Sequence, residues 1–280
     1  MKQKRIMTIQ DLSCFGKCSL TVAHPIMSAM GLEVCPIPTA VLSTHTAGFQ
    51  NWTFRDLSAD LPGIADHWKS AGLTFDGIST GYLGSEEMID MVADYFRLFP
   101  EAVKIVDPVF ADNGKLYPAF DEAYAAGMTK LCAQADVIVP NLTEASFLLG
   151  EEYVASGYDE AYIHGVLRRL TGLGCKTAVV TGVIYDPARQ GAVAYDAESG
   201  EFFQYFRENI DVSFHGTGDV FTSALAGAVV LGRSMQDALR IAVDYTVESI
   251  KVTMPDVKDH WYGVKFESCL PGLIQAVQEG

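Results

Sequence analysis

Short apolar runs alternate along the chain with longer segments in which apolar positions recur every three or four residues. The short runs, rich in β-branched residues, predict strands, whereas the longer amphipathic segments predict helices. The predicted strands are Arg5–Ile9, Glu33–Ile37, Gly77–Thr80, Val103–Val106, Val137–Val139 and Thr177–Val180. The predicted helices are Ser19–Met30, Leu57–Ala71, Ser85–Leu98, Asp121–Ala133, Asp159–Leu173, Phe221–Leu231 and Met235–Val252. This order predicts an α/β protein whose mostly parallel sheet is covered by helices on both faces.

Two further β-type runs follow the sixth predicted strand. Gly191–Tyr195 and Phe202–Phe206 are separated by the turn-like segment Asp196–Gly200, which predicts an antiparallel hairpin at an edge of the sheet. We find no linker, repeat or low-complexity stretch, and 280 residues are enough to bury one large core. The sequence therefore predicts a single domain that covers residues 1–280.

Composition and charge narrow the range of partners. The chain carries a formal net charge of -15, with 49% hydrophobic and 20% charged residues. Nucleic acids and anionic membranes attract basic surfaces, so we expect neither as a partner. The six cysteines are too few for a disulfide scaffold, and no apolar stretch is long enough to cross a bilayer. We expect a cytoplasmic protein with reduced thiols.

A glycine-rich segment near the C-terminus carries the clearest chemical signal. Gly216, Thr217, Gly218 and Asp219 directly precede an apolar run with helical spacing. Glycines let the backbone approach a ligand closely, and the free N–H groups at a helix start favour an anion such as phosphate. A carboxylate beside such an anion site can take the proton of an attacking hydroxyl, which suggests a small-molecule kinase. The alternative is a simple glycine turn in which Asp219 caps the helix.

Several predicted strands end in polar residues. Ligands bind at the carboxyl ends of the strands in parallel sheets, so these residues are candidates for a binding site. The candidates are Asp11, Thr44–Thr46, Tyr82, Asp107, Asn141 and Thr181. Each of them alone is as well explained as a turn former or helix cap. The chain has no Gly-x-x-x-x-Gly-Lys-Ser/Thr motif and no Gly-x-Gly-x-x-Gly after its first strand, so any nucleotide site is of another kind.

The glycine segment Gly216–Asp219 resembles the signature of the ribokinase superfamily of sugar and vitamin kinases. Further segments resemble the vitamin B6 (pyridoxal) kinases in the same order along nearly the whole chain: Ser43–Thr46, Gly81–Gly84, Asp107–Val109 and Pro140–Glu144. Hydroxymethylpyrimidine kinases are the nearest competitors, but they usually carry a cysteine where this chain has Asp219. The resemblance implies a ribokinase-like three-layer α/β/α sandwich.

The same resemblance implies an activity, namely transfer of the γ-phosphoryl group of ATP to the 5'-hydroxymethyl group of pyridoxal, pyridoxamine or pyridoxine, in salvage of pyridoxal 5'-phosphate. Asp219 would be the catalytic base, and the backbone N–H groups of Gly216, Thr217 and Gly218 would form an anion hole. The helix dipole should keep Asp219 ionised with a low pKa. Runner-up functions are a hydroxymethylpyrimidine kinase of thiamine synthesis and a non-catalytic vitamer-binding protein.

Binding residues are implied in the same way. The substrate residues are Asp11, Thr46 and Tyr82, the nucleotide residues are Asn141, Thr181, Gly182 and Thr217, and the Mg²⁺ residues are Asp107, Asp112 and Glu144. A homodimer and a monovalent cation (K⁺) are also family properties. The chain departs from the pattern at two positions. Asp11 stands where these kinases commonly have serine, and Val139 stands where a hydroxyl residue often lies beside the monovalent cation.

Overall fold

The computed structural model describes residues 2–279, and strands and helices alternate along this part of the chain. Its strands are β1 (Arg5–Ser13), β2 (Glu33–Leu42), β3 (Phe54–Asp56), β4 (Gly77–Thr80), β5 (Val103–Val106), β6 (Ala111–Asp112), β7 (Lys115–Leu116), β8 (Val137–Ile138), β9 (Thr177–Asp186), β10 (Arg189–Asp196) and β11 (Phe202–Glu208). Its α-helices are α1 (Leu20–Ala29), α2 (Leu61–Ser70), α3 (Glu86–Leu98), α4 (Glu122–Cys132), α5 (Leu142–Leu149), α6 (Glu160–Thr171), α7 (Thr217–Leu231), α8 (Met235–Thr253) and α9 (Leu270–Glu279).

The chain divides into two compact units, of which the first comprises Met1–Gly77 and Ile210–Gly280. In this unit β1 pairs in parallel with β2, and β3 pairs antiparallel with β2. Helix α1 packs against both β1 and β2 and also against α7, which in turn packs against α8. Most residues of α7 are buried, because its sequence is apolar or small on nearly every face.

The second unit comprises Ile78–Asn209. Its strands follow the order β11-β10-β9-β8-β5-β4. The pairs β5–β8 and β8–β9 are parallel, whereas β9, β10 and β11 are joined by antiparallel pairs. Helices α5 and α6 pack against β9, and α3 packs against α4.

Side chains that the sequence places before the apolar segments begin several of the helices. Five N-cap side chains each accept a hydrogen bond from a backbone N–H in the first turn, at 2.8–3.3 Å: Ser85, Asp121, Asn141, Asp159 and Ser234. Such bonds satisfy donors that have no partner inside the helix. The local sequence thus fixes where these helices start.

The predicted fold class is confirmed: the strands form a mostly parallel sheet with helices on both sides and an antiparallel hairpin. All seven predicted helices are present, but α7 begins at Thr217 rather than at Phe221. The pattern missed α5, α9, the short strand β3 and the small β6–β7 hairpin. Within residues 2–279, no helix has the length and apolar character needed to cross a membrane. The single-domain organisation stays a prediction.

Candidate active site

Asp11 lies near the carboxyl end of β1 and is only 5% exposed. The register between β1 and β2 shifts between Gln10 and Leu12, so Asp11 lies at an irregularity in the strand pairing. Such irregularities change the direction of side chains and are common beside active sites. Its Oδ2 accepts a hydrogen bond from the Ser13 hydroxyl at 2.8 Å, and its Oδ1 accepts one from the Ser19 hydroxyl at 2.6 Å. Burial raises the pKa of Asp11, although both hydroxyls oppose this shift.

Ser19 stands directly before α1 in an unusual backbone conformation. Its φ of 53° and ψ of -132° are rare for a residue with a side chain, and its hydroxyl does not cap the helix. The hydroxyl donates to Asp11 instead, while the backbone N–H of Ser19 hydrogen-bonds the carboxylate of Asp219. Ser19 therefore links two acidic side chains that are far apart in the sequence.

The start of α7 brings a glycine backbone close to the segment that follows β1. Gly216 has a φ of 78°, and a Cβ built there would lie 1.6 Å from the carbonyl oxygen of Lys17. A Cβ built on Gly218 would meet no atom within 4 Å. The first N–H groups of an α-helix have no partner inside the helix, so this open space adjoins a natural anion-binding position. The backbone there fits a phosphate group.

Asp219 occupies the first turn of α7 and is half-buried. Removal of water by the surrounding protein, together with the charge of Asp11, raises its pKa to about 7 against the opposing hydrogen bond from the Ser19 N–H. The low pKa expected from the helix dipole alone is therefore wrong, because loss of hydration outweighs the dipole. A base with a pKa near the working pH is well matched to proton transfer.

The loop after β2 places the next two candidates. His45 is 5% exposed, and its Nε2 donates to the backbone oxygen of Tyr262 at 2.9 Å. Burial lowers the pKa of His45, which favours the neutral ring. Its ring centroid lies 5.6 Å from that of His215, the residue before Gly216. Thr46 follows His45 and is exposed.

In the second unit, Asn141 and Glu144 form a capping box at the start of α5. The Asn141 side chain accepts the N–H of Glu144 at 2.9 Å, and Oε2 of Glu144 accepts the N–H of Asn141 at 2.9 Å. Oε1 of Glu144 also accepts the N–H of Phe110 at 3.0 Å. Burial raises the pKa of Glu144, despite these favourable backbone donors. Its carboxylate thus holds two segments of chain together.

The β6–β7 hairpin is anchored to the same helix start. Asn113 and Gly114 adopt φ values of 51° and 75°, which an Asn-Gly hairpin turn requires. The N–H of Gly114 donates to Oγ1 of Thr143 at 3.0 Å, and the Asn141 side chain donates to the carbonyl oxygen of Ala111 at 2.9 Å. Asp112 is exposed on this hairpin, and its charge contributes to the raised pKa of Glu144.

Three other candidates belong to this unit: Asp107 directly follows β5, whereas Thr181 and Gly182 lie within β9, which continues beyond the predicted strand end at Val180. Asn141 and Thr181 form an isolated parallel bridge, and the N–H of Thr181 donates to the carbonyl oxygen of Pro140 at 3.1 Å. Gly182 follows with a φ of 71°. Asp107 is buried, and its N–H donates to the carbonyl oxygen of Thr80 at 3.3 Å. The structure therefore brings Asn141, Thr181 and Gly182 together.

Tyr82 packs against a group of aromatic side chains in the second unit. The centroid of its ring lies 5.4 Å from that of Phe120, which stacks on Tyr124 at 3.8 Å. The hydroxyl of Tyr124 donates to the carbonyl oxygen of Leu83. Stacked rings of this kind restrict the orientation of Tyr82.

The carboxylates predicted to bind Mg²⁺ offer hard oxygen donors. Residues 2–279 contain no group of three or more His, Cys, Asp and Glu side chains arranged to hold a metal ion. Mg²⁺ commonly takes only one or two protein carboxylates together with phosphate oxygens and water. Both oxygens of Glu144 already accept backbone N–H groups. Direct contact with an ion is therefore open to the exposed Asp112, whereas the buried Glu144 is left only a contact through water.

Sequence reasoning missed Ser19 and Ser13 as partners of Asp11. Ser19 was included in the predicted helix Ser19–Met30, and no local pattern marks a hydrogen bond to a residue eight positions earlier in the chain. The roles of Phe110 and Thr143 were also missed, because backbone donors and hairpin anchors leave no mark in a hydrophobic pattern.

Comparison with known proteins identifies the class. Residues 26–263 match the family model described as phosphomethylpyrimidine kinase. The chain therefore belongs to the phosphomethylpyrimidine kinase family and is a small-molecule kinase. A pyridoxine/pyridoxal/pyridoxamine kinase of Bordetella avium is 26% identical over 89% of this chain and 85% of its own. A hydroxymethylpyrimidine/phosphomethylpyrimidine kinase of Haemophilus influenzae is 25% identical over 88% and 91%.

Solved structures point in the same direction. The pyridoxal kinase of Lactobacillus plantarum superposes with a TM-score of 0.90 at 31% identity, covering 99% of this chain and 98% of its own. A Bacteroides thetaiotaomicron protein described as a phosphomethylpyrimidine kinase was solved with pyridoxal. Its TM-score is 0.91 at 37% identity, with 97% and 96% covered. The resemblance to vitamin B6 kinases of the ribokinase superfamily is thereby confirmed.

Proposed function

We propose that this kinase transfers the γ-phosphoryl group of ATP to the 5'-hydroxymethyl group of a B6 vitamer, in salvage of pyridoxal 5'-phosphate. The observation that carries the proposal is Asp219, a carboxylate with a pKa of about 7 at a glycine-rich helix start. Support for the vitamer comes from the related Bacteroides protein solved with pyridoxal and from the Lactobacillus plantarum pyridoxal kinase.

In this mechanism Asp219 accepts the proton of the vitamer hydroxyl while the hydroxyl oxygen attacks the γ-phosphorus. The bond from phosphorus to the bridging oxygen of ADP breaks, and ADP leaves with that electron pair. The N–H groups of Gly216, Thr217 and Gly218 stabilise the charge on the transferred group, because they point out of the start of α7. We assign contact with the vitamer to Asp11, Thr46 and Tyr82.

We assign the nucleotide to Asn141, Thr181, Gly182 and Thr217. Neighbours of lower identity were solved with ADP or with AMP-PCP, which is consistent with ATP as the phosphoryl donor. We assign Mg²⁺ to Asp107, Asp112 and Glu144, the carboxylates whose oxygens suit this ion. When bound, Mg²⁺ neutralises phosphate charge. A K⁺ requirement, a homodimer and a cytoplasmic location remain predictions from the family resemblance.

The substitution Asp219→Asn tests the proposal. It keeps the size of the side chain but removes the base, so we expect turnover of the vitamers to fall about 10²–10⁴-fold. Affinity for pyridoxal should persist, because binding does not need proton removal. The measurement is ADP release with ATP and Mg²⁺ on pyridoxal, pyridoxamine, pyridoxine and hydroxymethylpyrimidine, together with equilibrium binding of pyridoxal.

Two results would contradict the proposal. Turnover by the native protein on hydroxymethylpyrimidine alone would assign it to the other activity found among its relatives. Tight binding of a vitamer with no turnover by the native protein would indicate a carrier. A folding control accompanies these measurements. At low pH, where the Asp219 carboxyl is itself uncharged, Asp219→Asn should have the same melting temperature as the native protein.

A further inference from the structure

All three polar groups of Ser19 have partners, and these lie on different segments of the first unit. Its carbonyl oxygen accepts the N–H groups of Val22 and Ala23 in the first turn of α1, at 3.0 and 2.8 Å. Its hydroxyl donates to Oδ1 of Asp11, and its N–H hydrogen-bonds the carboxylate of Asp219. One residue thus connects the end of β1, the start of α1 and the start of α7.

This arrangement depends on a strained backbone at Ser19. Its φ of 53° and ψ of -132° lie in a region that glycine adopts readily and that residues with a Cβ rarely adopt. Such a conformation persists only where the surrounding contacts enforce it. The 2.6 Å bond from the buried Ser19 hydroxyl to Asp11 is one of these contacts. The bond to Asp11 therefore helps to keep the Ser19 N–H directed at Asp219.

The segment before Ser19 packs against the start of α7. A Cβ built on Gly216 would lie 1.6 Å from the carbonyl oxygen of Lys17 and 3.4 Å from Sγ of Cys18. The Thr21 hydroxyl donates to the carbonyl oxygen of Cys18 at 2.8 Å, which attaches the same segment to α1. The Ser19 N–H consequently belongs to a segment that contacts both helices.

A catalytic base needs a defined direction as well as a suitable pKa. A carboxylate has two oxygens, so an N–H that holds the group leaves acceptor positions free for a substrate hydroxyl. A misplacement of about 1 Å can slow a reaction about 100-fold. We propose that Ser19 is a positioning residue that orients the Asp219 carboxylate toward the hydroxyl of the substrate. This inference rests on the proposed function and deepens it.

Three variants test the inference. Ser19→Ala removes the hydroxyl but keeps the Cβ, so the strained backbone should relax and turn its N–H away from Asp219. Ser19→Gly also lacks the hydroxyl, but glycine adopts the same backbone conformation without strain. Ser13→Ala is the matched control. The buried Ser13 hydroxyl donates to the other oxygen of Asp11, and Ser13 is not among the groups that shift the pKa of Asp219.

Steady-state kinetics at saturating ATP and Mg²⁺ should separate these variants. We expect Ser19→Ala to lower kcat for pyridoxal about 10- to 100-fold. Ser19→Gly should recover most of this loss, and Ser13→Ala should keep the native kcat. Any change in the KM for pyridoxal that arises from a weakened hold on Asp11 should appear in both alanine variants. Far-ultraviolet circular dichroism checks that each variant has the native fold.

The charged and titratable groups around Asp219 allow a second readout. Burial and the charge of Asp11 raise the pKa of Asp219, and the Ser19 N–H opposes them. Cys18 also interacts with Asp219, but burial raises the pKa of its thiol well above the usual range and keeps it uncharged. His45 interacts with Asp11, and burial lowers the pKa of this histidine.

This readout needs no turnover. The carboxyl carbon of Asp219 can be titrated by ¹³C NMR without ligands, and its signal is assigned by its absence in Asp219→Asn. The pKa of Asp219 should be higher in Ser19→Ala than in the native protein, because a donor to the ionised form has been lost. In Ser19→Gly it should return toward the native value. Ser13→Ala should not raise it.

Three results would overturn the inference while leaving the kinase intact. They are a native kcat in Ser19→Ala, an equal loss in both Ser19 variants, and an equal loss in Ser19→Ala and Ser13→Ala. The second would assign the role to the hydroxyl itself, and the third would assign it to Asp11. If Ser19→Ala does not fold, Ser19→Gly decides alone, and a kcat far below the native value overturns the inference.

Failure of the proposed function looks different from failure of this inference. The native protein would then turn over none of the vitamers. The titration of the Asp219 carboxyl still tests in that case whether Ser19 holds this group, and an equal pKa in the native protein and Ser19→Ala would show that it does not.

Discussion

At the scale of single residues, the position of Asp219 decides its acidity. The helix start alone favours the ionised form, but the surrounding protein excludes water and raises the pKa to about 7. Asp11, which the Ser19 hydroxyl holds in place, adds to this effect. The resulting base is half-ionised near neutral pH and stronger than an ordinary aspartate.

This pKa predicts the pH dependence of the reaction. A general base must be deprotonated, so kcat/KM for pyridoxal should rise about tenfold per pH unit below pH 7 and level off above it. The residual activity of Asp219→Asn should lack this inflection. The measurement is a pH series of kcat/KM at saturating ATP and Mg²⁺. A flat profile between pH 5.5 and 8 would contradict the assignment of Asp219 as the base.

At the scale of elements, two glycines at the start of α7 serve different purposes. Gly216 needs its positive φ and the absence of a Cβ, because the Lys17 carbonyl oxygen occupies that space. Gly218 has ample room for a Cβ as far as the protein is concerned. We infer that the open space at Gly218 is reserved for the transferred phosphoryl group.

A matched pair of substitutions separates these purposes. Gly216→Ala should destabilise the fold by about 1–3 kcal/mol or more, since it combines backbone strain with a steric clash. Gly218→Ala should leave the free energy of unfolding unchanged or raise it by up to about 1 kcal/mol, because alanine suits a helix better. It should nevertheless lower kcat/KM about 100-fold by displacing the phosphoryl group. Urea unfolding and steady-state kinetics measure both effects, and full activity in Gly218→Ala would refute the anion-hole assignment.

At the scale of the whole molecule, the raised pKa of Asp219 reduces stability at neutral pH. The folded state holds a proton on Asp219 up to about pH 7, whereas the unfolded chain releases it near pH 3.8. The contribution of Asp219 therefore lowers the free energy of unfolding as the pH rises from about 4 to 7 and lowers it no further above that range. Asp11 and Glu144 also have raised pKa values, so the native curve alone does not isolate Asp219.

The difference in the free energy of unfolding between Asp219→Asn and the native protein isolates the contribution of Asp219. Asp219→Asn removes the titrating group, so its free energy of unfolding minus that of the native protein should increase between pH 4 and pH 7 and then remain constant. Urea unfolding at four pH values, without ligands, measures this difference. A difference that does not change with pH would mean that Asp219 has an ordinary pKa in the folded protein.

Local patterns predicted most of the elements that form the framework. The helices capped by Ser85, Asp121 and Asp159 were found because cap and apolar spacing agree. Helix α5 was missed because it has only eight residues and is apolar on several faces. A short apolar segment of this kind has the same pattern as a buried strand. The β6–β7 hairpin was missed because two-residue strands have no periodicity, although its Asn113-Gly114 turn is a hairpin signal.

The sequence by itself determined the fold class and the residues of the glycine-rich helix start, because both depend on short-range spacing and on the conformational freedom of glycine. The tertiary structure decided what these residues can do. It brought Ser19 against both Asp11 and Asp219, directed the Ser19 hydroxyl to Asp11 and not to the start of α1, and turned an expected low pKa into one of about 7. Hydration and charge coupling depend on which distant segments pack together, and no local pattern along the chain encodes those distances.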